Sequence, residues 1–95
     1  MEPVKGVDFT TCNALLVDND TAFVSSMKRH LEELGFHVET ALTGKEARNC
    51  ADRRHFDLVV TEILLEHQDS GFRLCYEIRK QSPDTRIIIV SGISF

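Results

Sequence analysis

The sequence predicts an α/β fold in which helices cover both faces of a parallel sheet. Short, continuously apolar segments, such as residues 14–17 (ALLV) and 87–90 (IIIV), are typical of strands buried on both faces. Between such segments the apolar residues recur at three- and four-residue steps, which is the period of an amphipathic helix. Strands and helices that alternate in this way form a parallel sheet with right-handed crossovers.

The first half of the chain is expected to begin with a strand, a helix and a second strand. The first strand covers residues 14–17, and the apolar stripe of the following helix runs from Phe23 to Leu34. Gly35 comes next, where a left-handed cap would end that helix. Residues 36–42 then alternate between apolar and polar side chains, like a second strand.

A second and a third helix are expected on either side of the third strand, FDLVVTE. Thr43 and Glu46 have the spacing of a capping box, so the second helix is expected to open there and to run to about Arg53. Asp69 and Ser70 can cap the third helix, and RIIIVSG follows it as the fourth strand. The side chains expected to face the sheet are Ala47, Cys50 and Ala51 in the second helix and Phe72, Leu74, Cys75 and Ile78 in the third.

Length and composition restrict the class of protein. A chain of 95 residues forms at most one domain, and we expect an N-terminal tail at residues 1–12 followed by a domain at residues 13–95. The net charge of −4 and the lack of a basic cluster argue against nucleic-acid binding. No apolar run is long enough to span a membrane, and the polar N-terminus is unlike a signal peptide. Three widely spaced cysteines fit reduced thiols, so a cytoplasmic protein is expected.

Polar side chains follow three of the four predicted strands. Asp18, Asn19 and Asp20 come after the first strand, Glu62 ends the third, and Ser91 ends the fourth. Ligands of parallel sheets bind beyond the carboxyl ends of the strands, so these side chains are expected to share one crevice. Carboxylate oxygens suit Mg²⁺, which takes one or two carboxylates together with waters and phosphate oxygens.

Each of these groups also has a simpler interpretation. The DNDT segment could serve only as the N-cap of the first helix, because Asp and Asn are favoured at that position. Glu62 could be an ordinary solvated residue at a strand end, and Ser91 with Gly92 could form a common turn. The coincidence of all three groups at one edge favours a site over the separate explanations.

From about Asn13 to Gly92 the chain resembles the receiver domain of bacterial two-component response regulators. The segments that carry the resemblance are LLVDND, ALTGKEA, FDLVVTEI, DSGF and IIIVSG, in matching order and spacing. The resemblance implies a flavodoxin-like fold with strand order 2-1-3-4-5. It also implies a protein partner, either a sensor histidine kinase or another regulator, and a phosphoryl group accepted by an aspartate at the end of strand three beside Mg²⁺.

At the positions that the resemblance assigns, the sequence departs from the family pattern. Glu62 stands at the phosphoacceptor position, and Asn19 replaces the second acidic residue after strand one. Ser91 matches the switch hydroxyl of the family. The implied Mg²⁺ ligands are Asp18, Asn19, Asp20, Glu62 and the backbone carbonyl of Leu64. Binding of Mg²⁺ is expected to be weak, because an amide at position 19 removes one formal negative charge.

The resemblance stops with the sequence at Phe95, before the fourth helix, the fifth strand and the site lysine of the family. The expected architecture is therefore an incomplete receiver with strand order 2-1-3-4. An apolar edge strand without a neighbour favours association with another chain. A homodimer is expected in which the segment from Ile87 to Val90 meets the same segment of a second copy.

These departures predict a degenerate receiver, a regulatory module without enzymatic activity that acts through protein contacts and is not phosphorylated at Glu62. A true receiver fragment, whose full-length form still signals, fits the sequence equally. The alternative from another class is a haloacid-dehalogenase-type phosphatase, because LLVDNDT and IIIVSG also resemble its motifs. Asp18 would then be the nucleophile and Asp20 the general acid/base, and turnover of p-nitrophenyl phosphate would reveal such an enzyme.

Overall fold

In a computed structural model of the chain, residues 9–67 and 70–90 are described. Strands and helices alternate along these residues, as predicted, and every strand pair is parallel. In chain order the elements are β1 (Asn13–Val17), α1 (Thr21–Glu33), β2 (His37–Ala41), α2 (Gly44–Arg53), β3 (Leu58–Glu62), α3 (Ser70–Gln81) and β4 (Arg86–Val90). Across the sheet the strands lie in the order β2-β1-β3-β4, which confirms the predicted order 2-1-3-4.

The central strands β1 and β3 lie between two apolar layers, one on each face of the sheet. Leu15 and Val17 belong to the layer that α2 and α3 cover, whereas Leu16 belongs to the layer that α1 covers. All three side chains are fully buried. A strand with helices on both faces needs an apolar residue at every position, which explains the uninterrupted ALLV segment.

Helix α1 begins and ends at the residues that its capping pattern predicts. The Asp20 carboxylate Oδ1 accepts hydrogen bonds from the N–H groups of Ala22 and Phe23, at 3.1 and 3.2 Å. The chain leaves the helix through Gly35, whose φ of 108° confirms the left-handed cap. An L side chain rarely adopts this backbone conformation, so glycine is the natural residue there.

The capping pattern also fixes the start of α2. Thr43 Oγ1 accepts a hydrogen bond from the Glu46 N–H at 3.1 Å, as the capping box predicts. The Glu46 carboxylate accepts from the Leu42 N–H at 2.7 Å, one residue earlier than in the regular motif. Ala47 and Cys50 lie buried on the predicted inner face of this helix.

The inner face predicted for α3 is wrong at one position, because the Phe72 side chain is 55% exposed. The buried residues of this helix are Ser70, Gly71, Leu74 and Ile78. The helix is turned so that Gly71, which has no side chain, faces the end of β3. Its N–H donates to the Ile63 carbonyl at 3.0 Å. Ser70 is the first helical residue rather than a cap, and Asp69 lies outside the described residues.

Residues 9–12, which the sequence assigned to a tail, contact the junction between α1 and β2. The rings of Phe9 and Phe36 are stacked with their centroids 4.8 Å apart. The Cys12 carbonyl accepts from the His37 N–H at 3.0 Å and so continues the pairing of β1 with β2. The position of the domain boundary stays a prediction. Within residues 9–67 and 70–90, no helix is both long enough and apolar enough to cross a membrane.

Candidate functional site

Asp18 and Glu62 lie next to each other at the carboxyl edge of the sheet, as the sequence predicts. Strands β1 and β3 are neighbours, and Val17 is in register with Thr61, so the next residue of each strand reaches the same edge. Both residues are almost completely buried, with 5% of Asp18 and 7% of Glu62 exposed. The simpler interpretation of Glu62 as a solvated strand end is therefore wrong.

The Glu62 carboxylate is fixed by the loop that follows it. Its Oε1 accepts hydrogen bonds from the N–H groups of Ile63 and Leu64, at 2.9 and 3.3 Å. Its backbone carbonyl accepts from the Thr61 hydroxyl at 3.0 Å. The same carbonyl lies against the Cα of Gly71, where any Cβ would overlap it. The side chain and the backbone of Glu62 are therefore both held in place.

Asp18 accepts a hydrogen bond within its own loop, and the negative charge of Glu62 affects its pKa. Its Oδ1 accepts from the Asp20 N–H at 2.8 Å, which shapes the turn between β1 and α1. Burial raises the pKa of Asp18 above its ordinary value, the hydrogen bond from Asp20 opposes this, and the negative charge of Glu62 raises the pKa further. The edge of the sheet is thus a buried, electronegative place.

The other residues predicted for the site do not all join Asp18 and Glu62 at the edge of the sheet. Asp20 uses Oδ1 to cap α1, so the N-cap role considered for DNDT is present at this residue, and its role as a metal ligand stays a prediction. Asn19 is exposed, and the Leu64 N–H donates to Glu62. Ser91 lies outside the described residues. Among residues 9–67 and 70–90, no three His, Cys, Asp or Glu side chains are grouped so that they could hold a metal ion.

Glu66 is a functional candidate that the sequence analysis did not identify. Its carboxylate accepts from the N–H groups of Gly44 and Lys45 at 2.7 and 3.0 Å, so the loop after β3 is bound to the first turn of α2. Burial raises the pKa of Glu66, but these two bonds, one from its own backbone N–H and one from Ser70 outweigh that effect and lower the pKa to about 2. No local pattern links residues 44 and 66, so only the folded structure reveals the contact.

The chemistry of this edge suits a cation or a proton. Two buried carboxylates, Asp18 and Glu62, repel each other, and hard oxygen atoms are the ligands that Mg²⁺ prefers. Two carboxylates also match the number that a Mg²⁺ site usually takes from a protein. The residues present therefore fit a loosely held divalent cation.

The sequence profile of the response regulator receiver domain matches residues 14–94 of this chain. Apart from Asn13 of β1, that span contains every strand and helix of the described residues, together with Asp18 and Glu62. The match leaves the phosphatase alternative without support. Receiver domains are in general signalling modules of two-component systems.

Individual relatives agree with the family match. The chain is 33% identical over 78 residues to the probable transcriptional regulator ycf29 of Porphyra purpurea, covering 82% of this chain and 37% of that protein. It is 31% identical over 78 residues to the photosynthetic apparatus regulatory protein RegA of Rhodobacter capsulatus, covering 82% of this chain and 42% of that protein. The chain thus spans less than half of the length of these curated relatives.

Solved structures show the same architecture. A CheY-like response regulator receiver domain protein from Methanospirillum hungatei superposes with a TM-score of 0.81 at 32% identity, covering 88% of this chain and 66% of that one. The response regulator TrrA from Thermotoga maritima, in complex with Mg(2+)-BeF, superposes with a TM-score of 0.78 at 31% identity, covering 88% and 72%. Fold and sequence agree, and the chain belongs to the response regulator receiver domain family.

Proposed function

We propose that this chain is a degenerate receiver, a regulatory module that acts through protein–protein contacts and whose Glu62 does not accept a phosphoryl group. The proposal rests on the position, the burial and the hydrogen bonds of the Glu62 carboxylate. This carboxylate stands at the position that the family resemblance assigns to the acceptor aspartate. It is buried, and its Oε1 is engaged by two N–H groups of its own loop.

Glutamate changes the geometry on which phosphoryl transfer depends. The extra methylene moves the carboxylate along by about one C–C bond, roughly 1.5 Å. In-line transfer relies on positioning and charge neutralisation, and a misplacement of about 1 Å can lower a rate by ~100-fold. The hydrogen bonds from Ile63 and Leu64 keep Glu62 from adjusting toward an incoming donor.

Mg²⁺ is proposed to bind weakly at the same edge, with Asp18 and Glu62 as its main ligands. Asn19, Asp20 and the Leu64 carbonyl complete the set implied by the resemblance. A bound Mg²⁺ would neutralise the repulsion between the two carboxylates. Affinity in the millimolar range is expected, because the exposed amide of residue 19 replaces an acidic ligand and Mg²⁺ sheds water reluctantly.

The partner is proposed to be a protein, either a sensor histidine kinase or another regulator, and the location is proposed to be the cytoplasm. We further propose a homodimer that forms through the segment from Ile87 to Val90. Ile88 and Ile89 of β4 are 50% and 42% exposed, which supports an apolar contact at this strand. Neither nucleic acid nor a membrane is a proposed partner, and no enzymatic activity is proposed.

Phosphorylation by a small donor tests the central claim. The wild-type protein and the variants Glu62→Asp and Glu62→Gln are incubated with acetyl phosphate and Mg²⁺, and the intact masses are measured. We expect no appreciable phosphoryl adduct on the wild type, because Glu62 is misplaced and held. Glu62→Asp shortens the side chain to the family length and is expected to gain some labelling, whereas Glu62→Gln gives the background.

One result would count against the proposal. A stoichiometric, alkali-labile adduct that maps to Glu62 would mean that this chain is a true receiver with a glutamate acceptor. An adduct that forms to the same level in the wild type and in Glu62→Gln would lie on another residue, which peptide mapping would identify, and would agree with the claim that Glu62 is not an acceptor.

A further inference from the structure

A cavity of about 310 Å³ opens at the end of the molecule opposite to Asp18 and Glu62. It lies where α2 and α3 end and where β3 and β4 begin. Its size is at the lower end of the range of small-molecule sites in proteins.

The local structure explains why this space is not filled. Helix α2 ends at Arg53, and Arg54 is already extended, with φ −154° and ψ 156°. Helix α2 therefore ends here and has no further turn that could pack along α3. Ala51 is small and shares the cavity wall with Ile78 of α3. A smaller hollow of about 180 Å³ between the same two helices shares Ala51 and Ile78, so the space continues along the groove.

The inner wall of the cavity is apolar and buried. Phe56, Val59 and Ile78 are buried members of the main apolar layer, and their side chains form this wall. Thr85 is also buried, and its hydroxyl donates to the Phe56 carbonyl at 2.7 Å. Since this hydroxyl already has an acceptor, the inner wall offers an apolar surface that suits an aromatic or aliphatic group.

The mouth of the cavity is cationic. Arg53 and Arg54 are exposed, and neither forms an ion pair with a carboxylate of the described residues. The Arg53 guanidinium Nη2 donates to the Cys50 sulfur at 3.7 Å. His55 pairs with Asp84 at 3.3 Å, and Asp52 is the carboxylate that shares the lining. Two guanidinium groups beside an apolar wall can hold a carboxylate with paired hydrogen bonds.

We propose that this cavity binds a small organic carboxylate that carries an aromatic or short aliphatic group. The apolar group would lie against Phe56, Val59 and Ile78, and the carboxylate would meet Arg53 and Arg54. Apolar wall and cationic mouth are both needed, so neither a neutral aromatic compound nor a simple anion should bind as well.

Titration of the ¹⁵N-labelled protein with phenylacetate tests the proposal by NMR. Phenylacetamide serves as the neutral analogue and acetate as the anion without an apolar group. We expect saturable shifts at cavity residues with phenylacetate, and binding at least about tenfold weaker with either analogue. The double variant Arg53→Gln/Arg54→Gln should bind phenylacetate at least about tenfold more weakly. Arg29→Gln, an exposed position on α1, is the matched control and should leave the affinity unchanged.

A second variant tests the apolar wall independently. Ala51→Leu places a larger side chain at the cavity wall and should reduce phenylacetate binding while both arginines remain. The proposal is overturned if phenylacetate gives no saturable shift, if phenylacetamide binds equally well, or if the double variant keeps the wild-type affinity.

Discussion

Asp18 shows how a single side chain at the candidate site affects the stability of the fold. It is buried beside Glu62, and burial together with the neighbouring negative charge raises its pKa. At neutral pH the folded chain therefore holds two carboxylates close together in a poorly solvated place. Such local costs are common where a protein keeps a functional arrangement of charges.

We expect Asp18→Asn to stabilise the fold at neutral pH, because an uncharged side chain costs less to bury and is not repelled by Glu62. The amide oxygen can still accept from the Asp20 N–H, while the repulsion with Glu62 disappears. Urea unfolding at several pH values measures the difference. The folded-state pKa of Asp18 is raised, so this group stabilises the wild type when it is protonated and loses that contribution as the pH rises through its pKa.

The gain from Asp18→Asn should accordingly shrink as the pH falls through the raised pKa of Asp18. Asp52→Asn, at an exposed position of α2, is the control and should change stability little at any pH. If Asp18→Asn destabilises the protein at neutral pH, then repulsion from Glu62 is not the largest effect of residue 18 on the free energy of unfolding.

For single residues, the sequence predicts which side chains lie at the carboxyl edge of the sheet but not which contacts each of them makes. Asp18 and Glu62 could be predicted because each ends a strand of the central pair. The choice between capping and metal binding for Asp20 depends on where one oxygen points, which the spacing leaves open. Glu66 could not be predicted, since its partners Gly44 and Lys45 are more than twenty residues away.

Among the elements, α3 depends most on one glycine. Gly71 packs its backbone against the end of β3, and a Cβ on it would lie only 2.6 Å from the Ile63 Cα. The atoms that it would meet are backbone atoms of β3 and of the loop that holds the Glu62 carboxylate. Neither can move without shifting the candidate site.

We expect Gly71→Ala to destabilise the protein by about 3 kcal/mol, because overpacking against backbone forces the helix or the strand to move. Thermal unfolding measures the effect. Gly44→Ala is the matched control, since it also lies in the first turn of a helix but its Cβ would meet the Glu66 side chain at 3.2 Å and not backbone. An equal loss of stability in both variants would mean that a Cβ in the first turn of any helix destabilises the protein. The contact with β3 would then not be the cause.

The elements themselves follow closely from the sequence, because caps and apolar periods are local signals. Gly35 and Thr43 fix the boundaries that the structure shows. The rotation of α3 does not follow in the same way. Phe72 is apolar and fits the stripe, yet Gly71 occupies the inner position, and a residue without a side chain gives no sign of being buried.

For the whole molecule, the outer strand β4 is the least covered part of the described sheet. Ile87 packs on the layer of α2 and α3, and Val90 packs on the layer of α1. Ile88 and Ile89 point to opposite faces and are both largely exposed. In the 95-residue polypeptide this strand therefore offers apolar side chains beside an unpaired edge within the described residues.

We expect the 95-residue polypeptide to form a two-fold dimer through β4 at micromolar concentrations. Burying several hundred Å² at ~25 cal/mol per Å² gives several kcal/mol before the entropic cost of association. Sedimentation across a concentration series measures the dimer. The double variant Ile88→Lys/Ile89→Lys should be monomeric, whereas Leu42→Lys, at another exposed apolar residue, should associate like the wild type. A wild type that stays monomeric at high micromolar concentration would argue against the β4 contact.

The bond between Glu66 and α2 gives the site loop a spectroscopic signal far from Glu62. The first amides of a helix have no partner within it and exchange rapidly with solvent. The amides of Gly44 and Lys45 are instead held by Glu66, so their hydrogen exchange should be slow and should accelerate in Glu66→Gln but not in Glu32→Gln. Because the pKa of Glu66 is lowered to about 2, its contribution is complete above the ordinary value of 4.5 and is lost as the pH falls through about 2. The hydrogen exchange of these two amides thus shows whether Glu66, in the loop beside the candidate site, is bound to α2.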